Sequence, residues 1–233
     1  MFKKKPILKY ESDIEVYPDT ISPAKNHIPS WYKKIPQWKN NVMFDINAGL
    51  SPTVKLCVPF LDTFTTGYMI TIPYDLYVKN NNGVPYLTWP PGVKNPPSWR
   101  NEVADENIVP FNHFPIEYVW KYAVSYTFPV GYSCLFTHPL NRHDLPFTTL
   151  SGIIDGGLVM NAYGNAPFYI KKDFEGIIEK GTPIAQLIPF RQENWKSENV
   201  KGLVEIGKNH NILSGSIFKG WYKQTFWTKK QYE

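Results

Sequence analysis

The sequence predicts a soluble, mostly-β fold, and three observations carry that prediction. Its 233 residues include 21 prolines spread along the whole length, and each proline inside a helix costs about 3 kcal/mol. Aromatic residues make up 16% of the chain, and aromatic, proline-punctuated sequence suits short strands and shaped loops. Alternation with a period of two appears in Tyr118, Trp120, Tyr122, Val124 and Tyr126, as a half-buried strand requires. With 42% apolar and 19% charged residues the chain is too apolar for intrinsic disorder. A chain of this length buries roughly 70% of the surface its unfolded form exposes, so no metal or disulfide staple is needed.

Taken in order, residues 1–50 read as an N-terminal arm, 51–200 as the body and 201–233 as a C-terminal extension. In the arm, Ile28 to Pro36 reads as a helical turn between prolines that puts Trp31, Ile35 and Trp38 on one face, and those anchors pin the arm to the body. In the body, Thr53–Phe60, Thr66–Pro73 and Asp75–Lys79 read as strands. Asn80-Asn81-Asn82-Gly83 is a turn signal, because Asn and Gly accept positive φ, and Val84–Trp89 is its hairpin partner. Residues 90–115, with Pro90-Pro91-Gly92 and Pro96-Pro97, form a long loop. Tyr118–Phe128 resumes as one strand, and short strands recur to residue 190, the pattern of a sandwich or barrel.

The net charge is +5. Lysines cluster near the two ends, in Lys3-Lys4-Lys5, Lys33-Lys34 and Lys229-Lys230. No basic helix or nucleic-acid signature accompanies them, so they read as solvated surface, and a nucleic-acid partner is not expected. Cys57 and Cys134 lie in apolar runs far apart and read as buried free thiols of a reducing compartment. No apolar stretch marks a signal peptide or a membrane span. The expected place is a host cytoplasm or a particle assembled there.

Residues 129–191 carry the most specific information. The loop His138-Pro139-Leu140-Asn141-Arg142-His143-Asp144 concentrates polar groups. Arg142 could hold a phosphate or small polar ligand with His138 and Asn141 as donors, or the loop could simply satisfy itself. The spacing of His138, His143 and Asp144 matches no metal pattern, and no metal or cofactor is expected. Asp155, before Gly156-Gly157, is a turn residue or a ligand contact at a subunit boundary. Gln186, within Ile184–Ile188, is a core amide or a ligand contact. Trp89, Trp99, Trp221, Tyr222, Phe226 and Trp227 are the candidate interface aromatics.

Gly152-Ile153-Ile154-Asp155 and Lys180-Gly181-Thr182-Pro183-Ile184-Ala185-Gln186-Leu187-Ile188 resemble, in order and separation, two motifs of the dUTPase-like β-clip superfamily. That resemblance implies a jelly-roll-like fold and a homotrimer. It also marks departures. The phosphate-binding motif expected upstream reads His138 to Asp144 with no serine beside Arg142, and Asp155 is followed by Gly156-Gly157-Leu158-Val159 rather than a tyrosine-bearing turn. The Arg-Phe arm that closes on nucleotide is replaced by Trp221-Tyr222-Lys223-Gln224-Thr225-Phe226-Trp227. Pyrophosphohydrolysis needs all these parts together, so dUTP hydrolysis is not expected. Pro29-Ser30-Trp31-Tyr32, Cys57-Val58-Pro59-Phe60-Leu61-Asp62, Thr66-Gly67-Tyr68 and Gly131-Tyr132-Ser133-Cys134-Leu135-Phe136 with Pro139-Leu140-Asn141-Arg142 are similar to a family of tailed-phage proteins, many from cyanophages. That similarity implies an origin and no particular activity.

The expectation is therefore a non-catalytic structural or interaction protein on a trimeric dUTPase-like scaffold, with virion proteins as its partners. The alternative is a module that sequesters a nucleotide-like small molecule at subunit boundaries. A hydrolase with a rearranged site is the third reading.

Overall fold

The computed structural model describes residues 5–12, 20–45, 49–100, 107–121, 124–160, 166–215 and 220–233. The chain begins with β1 (Lys9–Ser12), β2 (Ile21–Pro23), α1 (Ser30–Lys34), β3 (Phe44–Asp45), β4 (Gly49–Leu50) and α2 (Val58–Thr65). Next come β5 (Tyr68–Thr71), β6 (Leu76–Asn81), β7 (Val84–Thr88), β8 (Ser98–Trp99), β9 (Tyr118–Trp120) and β10 (Val124–Thr127). They are followed by β11 (Tyr132–Thr137), β12 (Phe147–Thr149), β13 (Gly152–Asp155), β14 (Ala166–Ile170), β15 (Gly176–Ile178) and β16 (Pro183–Arg191). The chain closes with α3 (Leu203–Gly215) and α4 (Trp221–Thr225). Every strand pairing is antiparallel, so the fold is mostly β, as expected. No helix among the described residues is long and apolar enough to cross a membrane.

The chain divides into two compact units, Met1–Ser30 with Thr63–Gln192 and Tyr232–Glu233, and Trp31–Asp62 with Glu193–Gln231. The first holds a five-stranded sheet in the order β13-β11-β16-β5-β2, a four-stranded sheet β12-β14-β9-β8 and a three-stranded sheet β15-β6-β7. Alternation puts Cys134, Phe136 and Leu187 of β11 and β16 into its core. Trp120 is the core's largest buried side chain and stacks on Phe168 at 3.6 Å between ring centroids. Its indole N–H donates to Thr149 Oγ1 (3.0 Å), which donates on to the Ile184 carbonyl (2.7 Å). A buried Trp is tolerated because that donor is satisfied. The Asn80–Gly83 turn forms as its residues dictate, with Asn82 at φ 52° and Gly83 at φ 86°. The Gly83 N–H also donates to Asn80 Oδ1 (2.9 Å).

Three local readings change. Thr53–Phe60 is not a strand. A 3-10 turn at Val54–Leu56 runs into α2, and Thr53 caps that turn by accepting the Lys55 N–H (3.2 Å). Pro59 sits in the first turn of α2, where the missing N–H would have had no intrahelical partner. Tyr118–Phe128 is two strands in separate sheets, β9 beside β14 and β10 beside β1, and Tyr122 lies outside the described residues. Cys57 is exposed while Cys134 is buried, both being free thiols. Cys57 sits at the end of the 3-10 turn just before α2. The Cys134 thiol is pushed up to about 12 by burial, which leaves it unreactive.

The second unit holds α1, the β3–β4 hairpin, most of α2, and α3 and α4. The Asp62 carboxylate ties its two segments together by accepting the Trp227 indole N–H (2.9 Å), with Lys230 Nζ at 3.6 Å. Lys55 Nζ donates to the Tyr32 carbonyl (2.9 Å) and lies 4.4 Å from the Tyr32 ring centre. Helix α3, absent from the reading of the sequence, carries its apolar side chains in solvent.

Candidate functional site

Strand β11 sets the geometry, because the candidate residues fall at its two ends. At the start, register places Ser133 opposite Asp155 of the edge strand β13. Ser133 Oγ donates to Asp155 Oδ1 (2.7 Å), and Gln192 Nε2 donates to both, at 3.0 Å and 3.1 Å. Ser133 is buried, whereas the Asp155 carboxylate faces solvent. At the far end, after Thr137, the chain enters the loop 138–144. Five residues of extended chain separate Ser133 from His138, roughly 17 Å. Asp155 and the polar loop therefore do not converge.

The loop is organised from within. His138 Nε2 donates to the Arg142 carbonyl (3.1 Å), and His138 Nδ1 accepts the Thr149 N–H (3.3 Å). A carbonyl can only accept and an amide N–H can only donate, so the ring is the neutral Nε2–H tautomer. Asn141 adopts φ 58°, a left-handed conformation Asn tolerates, and its side chain donates to Thr63 Oγ1 (2.9 Å). Arg142 grips the Asp144 carboxylate through Nε (2.8 Å) and Nη2 (2.9 Å). That bidentate pair occupies the Nε–Nη2 edge of the guanidinium. The exposed His143 contributes its carbonyl to Lys171 Nζ (2.6 Å).

Gln186, opposite Thr137 in the ladder, is fully buried beneath the loop. Its Oε1 accepts the Leu140 N–H (2.9 Å), and its Nε2 donates to the Thr63 (2.9 Å) and Thr66 (2.7 Å) carbonyls. One amide thus joins the loop, the end of α2 and the turn into β5. Gln186 is a core amide held on backbone groups.

Burial holds the His138 imidazole down to about 4, with the nearby charges of His143, Lys171 and Arg142 acting in the same sense and the hydrogen bond to Arg142 opposing them. The folded value lies below the unfolded 6.5, so this contribution to stability is complete above pH 6.5 and is lost as pH falls towards 4. Urea unfolding should show about 2 kcal/mol lower stability at pH 5 than at pH 7.5 from this group. His138→Asn should remove that part of the pH dependence. An unchanged pH slope in the variant would refute the assignment.

The interface aromatics divide between the units. Trp89 packs on the first unit's core, and Trp99 on the edge strand β8 is 68% exposed. In the second unit Trp221, Phe226 and His210 form a ring cluster with centroids 5.1–5.7 Å apart. Tyr222 is exposed and Trp227 is held by Asp62. A further polar network had no sequence signal because its members are far apart: Glu117 accepts from Arg100 Nη1 (3.0 Å) and from the buried Tyr169 hydroxyl (3.0 Å). Burial and the Glu117 carboxylate push the Tyr169 phenol up to about 12. Among the described residues no group of three or more His, Cys, Asp or Glu is placed to hold a metal ion.

No protein-family model and no curated protein matches the chain. Among solved structures it is similar to a mutant dUTPase of Staphylococcus bacteriophage 80alpha with dUpNHpp, at 15% identity and a TM-score of 0.34, over 84% of this chain and 88% of that one. A mutant dUTPase from phage phi11 of S. aureus is similar at 13% identity and a TM-score of 0.33, over 84% of this chain and 97% of that one. Similarity at this level assigns neither an activity nor a site.

Proposed function

We propose that the protein is a phage-encoded, non-catalytic structural or interaction protein on a dUTPase-like scaffold, assembled as a homotrimer and acting in the host cytoplasm or the virion. The observation that carries the reading is the spent hydrogen bonding of the polar loop. Arg142 is paired bidentately with Asp144, His138 is a neutral ring bonded at both nitrogens, and Gln186 is committed three times to backbone. A ligand on the Nε edge of Arg142 would have to displace Asp144, and one at His138 or Gln186 would have to break bonds already made. Asp155, the last residue of the first family-like motif, is committed to Ser133 and Gln192.

The second reading, a nucleotide-like small molecule held at subunit boundaries, draws on the solvent-facing carboxylate of that Ser133–Asp155–Gln192 group. A thermal-shift screen against nucleotides and cyclic or ADP-ribose-type compounds separates the two. A ligand at a hundredfold excess over its Kd would add about 2.7 kcal/mol, several degrees of Tm for a chain of this size. The expected result is no shift with any of them. A shift that Asp155→Asn abolishes would replace the first reading with the second. Sedimentation should give three times the 27.0 kDa chain mass, and mass spectrometry of purified virions should find the protein. A monomer, absent from virions, would remove the structural reading.

A further inference from the structure

The second unit joins two lysine-bearing parts of the chain that are far apart in sequence. It takes up Trp31–Asp62 and Glu193–Gln231, segments holding eleven lysines against five carboxylates, a surplus of six. The first unit holds fourteen basic and fifteen acidic residues, so the net positive charge of the protein comes from the second. Five of the eight tryptophans are there too, yet Tyr32 is the one buried residue among those described in it. Trp195 is 90% exposed, Phe44 62% and Phe226 53%. Exposed rings in so basic a unit are available for stacking. The segment 220–230 interleaves Lys223, Lys229 and Lys230 with four aromatics and contains no carboxylate. Lys223 Nζ lies 5.7 Å from the Trp227 ring centre.

We propose that this unit binds single-stranded nucleic acid, its lysines meeting phosphates and its exposed rings stacking bases. Adjacent cations and rings match the alternation of phosphate and base along a strand, and stacking works with any base. The charge of +6 opposes a second copy of the same surface. A bilayer fits poorly, because Val204 and Ile212 of α3 lie off the side that carries Leu203, Ile206 and Leu213, with Glu205 and Lys208 between them, and an interfacial helix needs one apolar face. The lysine runs, read from sequence as separate solvated stretches, acquire this role because the fold brings Lys33-Lys34 and Lys229-Lys230 into one unit.

The test is fluorescence polarisation of labelled 20-nucleotide oligo-dT and oligo-rU with the full chain at 50 and 200 mM NaCl. Neutralising about four phosphates predicts roughly 50-fold weaker binding at the higher salt. Trp195→Ala, fully tolerable at so exposed a position, should weaken binding roughly 5- to 100-fold. Lys223→Gln with Lys229→Gln should reduce the slope of log K against log salt by about 1.4, while Lys79→Gln with Lys94→Gln in the first unit should leave it unchanged. No binding at 50 mM NaCl overturns the proposal. So does binding indifferent to the second-unit variants, or binding to vesicles of anionic lipid without binding to either oligonucleotide. Self-association abolished by Trp195→Ala, in a protein that ignores both oligonucleotides, overturns it equally.

Discussion

Gln186→Ala should lower the melting temperature by roughly 8–16 °C, taking about 4 kcal/mol at 2–4 °C per kcal/mol for a chain of this length. The side chain is fully buried and makes three hydrogen bonds, one from the Leu140 N–H and two to the Thr63 and Thr66 carbonyls. Alanine leaves those backbone groups buried and unmatched by this partner, at about 1–3 kcal/mol each, and adds a cavity. The cost is spread over three pieces of structure, so the polar loop, the end of α2 and the turn into β5 should loosen together. Hydrogen exchange at Leu140 would report it. Gln186→Glu is the diagnostic partner. Its carboxylate could still accept from Leu140 but would face two carbonyl oxygens, so burial and repulsion raise its folded pKa above the unfolded 4.3. A raised folded value means the variant is best tolerated below pH 4.3 and loses stability as pH rises through that value. A Gln186→Ala protein that melts within 2 °C of the parent would show that the amide is dispensable, and the account of the loop as internally committed would fall with it.

That amide illustrates what could be read from sequence and what could not. Residue types with strict backbone chemistry were legible: Asn82-Gly83 turns because both accept positive φ, and β6 and β7 pair on either side. Strand β5 was legible from the apolar run that Pro73 closes. The strand expected at Thr53–Phe60 failed because an apolar run of that length looks alike as helix or strand, and Pro59 suits a first helical turn as well as a strand end. Helix α3 was invisible because Val204 and Ile212 fall off the side that Leu203, Ile206 and Leu213 share, which blurs the period. At the candidate site the composition of the loop was plain, but its meaning depended on direction. Nothing in the spacing of Arg142 and Asp144 says that the guanidinium turns onto the carboxylate two residues away. Nor does the spacing say that Asp155 and the loop sit at opposite ends of β11. The lysines of the second unit were countable, yet only the fold gathers their two segments into one unit.

Gly67→Ala should be among the most damaging single-methyl changes at the described glycines, costing about 4 kcal/mol or more and threatening soluble expression. Gly67 links the end of α2 to β5 at φ 78°, where an L-residue costs about 1–2 kcal/mol. Conformation is the smaller part. A β-carbon there would stand 2.0 Å from the Leu187 carbonyl oxygen and 2.9 Å from its carbon, and both are backbone of β16. That strand sits between β11 and β5 in the five-stranded sheet, so it cannot retreat without breaking ladders on both sides. The Gly67 carbonyl also accepts the Ala24 N–H (3.0 Å), which fixes the turn from the other direction. Gly83 supplies the control. It has a similar φ of 86° with nothing within 4 Å of its notional β-carbon, so Gly83→Ala should lose the conformational term alone, about 1–2 kcal/mol. Denaturant midpoints of the two variants, compared at constant m-value, isolate the steric part. Equal losses would mean that the approach of β16 to the turn is looser than the geometry requires, and that Thr66-Gly67-Tyr68 owes its glycine to φ alone.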